Sequence, residues 1–103
     1  MPDHPWKAEE RHVARLLNGA RFPANSGGRV DVEGPGIMAQ VKRVQRLSLA
    51  PLEALALEME RLGAEHGKVG LVVVKRRAGI GRETPRLVVL TEGAWRVLNG
   101  GKV

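Results

Sequence analysis

The stretch Arg29-Val30-Asp31-Val32-Glu33-Gly34-Pro35-Gly36-Ile37-Met38-Ala39-Gln40-Val41-Lys42-Arg43 reads as two strands joined by a tight turn. In its first half Val30 and Val32 alternate with Asp31 and Glu33, the period of a half-buried strand. In its second half Ile37, Ala39 and Val41 share one face, and Met38, Gln40 and Lys42 share the other. Gly34-Pro35-Gly36 separates the halves, so the pattern predicts a hairpin. With Pro35-Gly36 as its loop, Asp31 stands opposite Gln40. A Pro-Gly pair favours a type II turn, which fits a two-residue hairpin poorly, so this register stays open.

Outward from the hairpin, Pro5 to Asn18 has helical spacing, with Trp6, Val13, Leu16 and Leu17 on one stripe and Asp3 as a cap ahead of Pro5. At about 100° per residue, Glu9 and Glu10 fall about 40° and 60° either side of Val13, so at least one carboxylate is expected to point inward. Ala24-Asn25-Ser26-Gly27-Gly28 has turn chemistry. From Ser48 or Leu49 to about His66, the residues Leu52, Leu55, Ala56, Met59 and Leu62 recur at the spacing of an amphipathic helix. Val69–Val74 and Arg86–Leu90 read as short buried strands, the first reached from the hairpin by a helical crossover that suits parallel pairing. Thr91 is placed to cap a last short helix through Trp95 and Leu98. Together these elements predict an α/β (mixed α+β) fold, a mixed sheet flanked by helices, in a single domain over residues 1–103.

The composition narrows the partners. Seventeen Lys and Arg against eleven Asp and Glu give a formal charge of +6, a field that attracts a polyanion, so nucleic acid is the first partner expected. The absence of cysteine excludes a disulfide framework, a thiol nucleophile and cysteine zinc sites. No apolar run has the length of a membrane span and no leader pattern opens the chain, which predicts a cytoplasmic protein with no membrane partner. Aromatic residues are scarce, so a surface built by stacking bases on rings is not expected, and phosphate contact accounts better for the charge. Ser26-Gly27-Gly28 lacks the Gly-Lys-Ser/Thr end of a P-loop, and His4, His12 and His66 have no metal-ligand spacing.

Asp31 and the triplet Gln40-Val41-Lys42 are the candidates for chemistry. Mg²⁺ takes oxygen ligands and keeps several waters, so one carboxylate, one side-chain carbonyl and the Val41 main-chain carbonyl can hold it against a phosphate. An ammonium such as that of Lys42 can orient the attacking water or offset charge developing on phosphorus. On spacing alone, Asp31 paired with Lys42 across a hairpin, or Lys42 on a solvated strand face, is the commoner arrangement. In the run Lys75-Arg76-Arg77-Ala78-Gly79-Ile80-Gly81-Arg82 the cations suit phosphate contacts, and equally a solvated loop.

Glu10-Arg11-His12-Val13-Ala14-Arg15-Leu16-Leu17, then Arg21, then Asn25-Ser26-Gly27, then Val30-Asp31-Val32, then Gln40-Val41-Lys42, resembles the archaeal-type Holliday-junction resolvases of the PD-(D/E)XK nuclease superfamily. The likeness continues through Ser48, the amphipathic helix and Val72-Val73-Val74-Lys75. It implies a restriction-endonuclease-like fold, Mg²⁺ or Mn²⁺ as cofactor, cleavage of four-way DNA junctions and a homodimer. It also implies roles. Glu10 is the helix-borne acid near the metal, Asp31 the central ligand, Lys42 the catalytic lysine, Arg11 and Arg21 phosphate contacts, and Ser26 part of the turn near the scissile strand. Arg11 lies about 160° from the apolar stripe, so a solvated helix face accounts for it equally well. Gln40 departs from the family's glutamate. An amide oxygen can ligate a metal without bringing charge, and Glu10 or Glu33 can supply the missing anion. The alternatives are a nuclease of the same fold acting on flaps, ends or duplex sites, and a basic module that binds nucleic acid without cutting it.

Overall fold

The computed structural model describes residues 5–16, 20–21 and 30–100. Along the chain these form α1 (Pro5–Leu16), β1 (Ala20–Arg21), β2 (Val32–Glu33), β3 (Ile37–Val44), α2 (Leu49–Glu65), β4 (Val69–Arg76), β5 (Arg86–Val89) and α3 (Glu92–Leu98). Among the described residues the sheet has the order β1-β2-β3-β4-β5. Every neighbouring pair is antiparallel except β3 and β4, which run parallel and are joined by α2. The mixed α+β architecture expected from the sequence is therefore observed.

Alternation along the strands divides the core. On one face Ala14 of α1 packs with Val32, Ala39, Leu71 and Val73. On the other Met59 of α2 packs with Met38, Val72 and Val74. Met59, Val32 and Val72 are the largest fully buried side chains, so the sheet centre is closed on both sides and β4 reads as an unbroken apolar run. The helix α2 lies directly on β4. A Cβ on Gly70 would run into the Met59 carbonyl oxygen, and one on Gly63 would meet the Gly70 backbone. Thr91 caps α3 as its position suggests, its Oγ1 accepting from the Ala94 N–H at 3.0 Å.

Three expectations need correction. β5 is not a buried strand: Leu87 and Val88 are 55% and 53% exposed, because among the described residues the strand is the sheet's outer edge, with β4 alone beside it. β1 was not anticipated, since two residues carry no period. The first strand of the hairpin is shorter than the alternation predicted, with Val30 and Asp31 outside it. Its loop is Pro35-Gly36 as expected, closed by the Gly34 N–H on the Ile37 carbonyl at 2.8 Å. Gly36 is absent from the glycines with positive φ, so the turn is not type II and the hairpin register holds up to Val32 against Ala39.

Candidate functional site

Beyond Val32 the hairpin departs from a regular ladder. The Asp31 N–H donates to the Ala39 carbonyl at 2.9 Å, although Ala39 is already the ladder partner of Val32. Two consecutive residues thus oppose one, which is a β-bulge. The packing agrees: Val30 joins the α2-side cluster and Val32 the α1-side cluster, whereas in a regular strand residues two apart share a face. Asp31 consequently does not stand simply opposite Gln40, and it no longer shares strand parity with Glu33.

The bulge gives the Asp31 carboxylate a main-chain partner. Its Oδ2 accepts from the Val41 N–H at 2.8 Å, a bond across the hairpin that takes the place of a ladder bond. A strand residue presents its N–H and C=O on the same side, so the Val41 carbonyl faces the β2 edge as well. The carboxylate and the main chain of the middle residue of Gln40-Val41-Lys42 are therefore in direct contact.

Gln40 and Lys42 lie on the α2 side of β3, in the same alternation as Met38 and Val44. Both are half-buried. Lys42 makes no hydrogen bond or ion pair among the described residues, so the cross-strand Asp31–Lys42 pair is not formed. Glu10 is buried, at 7% exposure, which meets the expectation of an inward carboxylate on α1. It is engaged by a neighbour and, one turn before Ala14, reaches the sheet from the face opposite to Gln40 and Lys42. Arg11 is half-buried and likewise partnered, so it is not a freely solvated cation. The side chain of Arg21, and Ser26 altogether, lie outside the described residues. Glu33 accepts from the Lys68 ammonium, an ion pair that ties β2 to the turn before β4.

The donors on offer to a cation are the Asp31 carboxylate, the Val41 carbonyl, the Gln40 amide oxygen and, from the other face, Glu10. No group of three or more His, Cys, Asp and Glu gathers among the described residues. An oxygen-only set fits a hard divalent ion such as Mg²⁺ better than zinc.

The cations of the basic loop are not equivalent. Lys75 has a side chain only 15% exposed and lies 3.6 Å from Glu83, whereas Arg76 and Arg77 are exposed. Two further residues escaped the sequence reading. Gln45 and Arg46, just after β3, line a hollow of about 550 Å³ together with Arg76, Arg77, Ala78, Gly79 and Arg82. Arg82 was visible as part of a basic run, but nothing in the local sequence links that run to Arg46. The link is the parallel register that sets Val44 beside Arg76.

No helix among the described residues is long and apolar enough to cross a membrane. No protein-family model, curated protein or solved structure matches the chain.

Proposed function

We propose that the chain is a Mg²⁺-dependent DNA endonuclease of the PD-(D/E)XK type that acts in the cytoplasm on four-way junctions. The observation that carries this reading is the Asp31 carboxylate seated on the Val41 N–H, which joins the acid to the polar-x-lysine triplet through a β-bulge. Bulges re-aim side chains beside active sites, and this one turns Asp31 toward the β2-facing edge of β3 that the Val41 carbonyl also faces.

Asp31 and the Val41 carbonyl, at the β2-facing edge of β3, would hold Mg²⁺ or Mn²⁺, with the Gln40 amide approaching from the α2 side and Glu10 as a second acid from the α1 side. When bound, the ion polarises the scissile phosphate and acidifies a bound water. The chain's own part begins at Lys42, whose half-buried ammonium has no ion pair among the described residues and so can orient water or meet negative charge on phosphorus. The Val41 N–H fixes the Asp31 carboxylate before any ligand arrives, so little reorganisation is needed on binding. Exposed Arg76 and Arg77 supply phosphate contacts. Symmetrical cuts in a four-way junction require two sites related by a two-fold axis, hence two copies of the chain.

An end-labelled four-way junction and a matched linear duplex, each with Mg²⁺ or EDTA, test the reading. Paired nicks in the junction are expected, lost with EDTA and in Lys42→Ala, and retained or increased in Gln40→Glu. Cutting by Lys42→Ala at the parent rate would sink the assignment. Equal cutting of the duplex would move the substrate to flaps, ends or duplex sites, and tight binding without cutting under either metal would make the chain a binding module.

A further inference from the structure

The hollow lined by Arg46, Arg76, Arg77 and Arg82 has an unusual charge balance. It is lined by four arginines and no acidic residue, and none of the four has a side-chain hydrogen bond or ion pair among the described residues. The nearby acid Glu83 is turned to Lys75. Four unneutralised cations around one space repel each other, so the arrangement favours an anion brought from outside.

The walls are held by specific bonds. The Arg77 N–H donates to the Val44 carbonyl at 2.8 Å, which fixes the start of the loop on the end of β3. Thr84 Oγ1 donates to the Arg76 carbonyl at 2.6 Å and closes the loop behind it. Within the loop the Arg82 N–H reaches the Gly79 carbonyl at 3.0 Å through a turn with Gly81 at φ 78°, a conformation open to glycine. Arg46 enters from a different connection, so the cluster is a product of the parallel β3–β4 pair and not of one charged run.

Its position relates it to the candidate centre. Val44 and Arg76 lie two residues beyond Lys42 and Val74 on the same strand pair, and Arg46 lies four beyond. At about 3.3 Å per residue Arg76, on the rim of the hollow, lies ~7 Å along the strands from the level of Lys42. A stacked strand advances about 3.4 Å per nucleotide, so that distance corresponds to about two nucleotides.

Resting on the nuclease reading for its ligand, we infer that this hollow grips a backbone phosphate of the cleaved strand, about two nucleotides or more to one side of the bond above Lys42. Planar guanidinium forks are suited to bidentate phosphate contact, and the volume accommodates a sugar-phosphate unit. The grip positions the strand and reads no base.

The test is the salt dependence of binding by the full chain to labelled junction DNA in EDTA, for the parent, the double variant Arg46→Gln/Arg77→Gln and the control Arg61→Gln, whose arginine pairs with Glu65 on exposed α2. Each phosphate contact contributes about 0.9 to the slope of log affinity against log salt, so the double variant should be shallower by about one to two, with the control unchanged. Circular dichroism confirms that each variant is folded. Parallel lines for parent and double variant overturn the inference, as does an equal drop in the control. Cleavage with parallel lines would leave the nuclease reading standing without the grip, whereas a shallower slope without metal-dependent cleavage would leave the grip and remove the nuclease. Removing DNA on one side to within two nucleotides of the cut should reproduce the shallow slope, and an identical effect from either side would also overturn the inference.

Discussion

Replacing Asp31 by asparagine keeps an oxygen within reach of the Val41 N–H but removes the negative charge, whereas alanine removes both. A hydrogen bond to a charged group contributes about 1.5–3 kcal/mol, and partial exposure places this one at the lower end. On the proposed nuclease reading, Asp31→Asn is therefore expected to lose metal-dependent cleavage while its urea midpoint stays near that of the parent. Asp31→Ala should lose cleavage and also about 1–2 kcal/mol of stability. Equal stability of the two variants would show that the bond to Val41 does not support the bulge. The sequence marked Asp31 as the acid of the hairpin but misplaced it, because Val30-Asp31-Val32 alternates like an unbroken strand and carries no glycine to betray the bulge. Glu10 was legible because the helical period is strict enough to place one carboxylate inside. Arg46 was not, since its neighbours in space come from a segment on the far side of α2.

At the scale of elements, the contact of α2 with β4 leaves no space where Gly63 and Gly70 meet. A methyl group at Gly70 would displace the α2 backbone at Met59 and could not be absorbed by a side-chain rotation. Gly70→Ala should destabilise the chain by about 3 kcal/mol or more, beyond ordinary overpacking, seen as an earlier urea transition. Gly36→Ala, with open space around it, should change stability far less. A midpoint for Gly70→Ala equal to that of Gly36→Ala would contradict the close approach. The helices, the hairpin and β4 were legible because their apolar residues recur at one clear period. The character of β5 was not, as Arg86–Val89 has the composition of a central strand and only its place in the sheet order leaves Leu87 and Val88 uncovered.

For the whole molecule, a charge of +6 spoke for a polyanionic partner, but only the folded chain collects part of that charge into one hollow. That collection depends on the parallel pairing, in which Ile37 finds Val69 and Val44 finds Arg76 across the whole of α2. Long-range pairing of this kind is slow, because loop closure must come before the contacts that reward it, while an isolated hairpin forms in about 1–10 μs. Pulse-labelled hydrogen exchange during refolding should accordingly protect the Val41 amide, held within the hairpin, before the Arg77 amide, which waits for the β3–β4 ladder. Simultaneous protection of both amides would mean that the hairpin has no independent existence. With that order, a half-folded chain already holds the Asp31 carboxylate in place before the arginines of the hollow are gathered, so the acid and the cationic cluster coexist only once the β3–β4 ladder is complete.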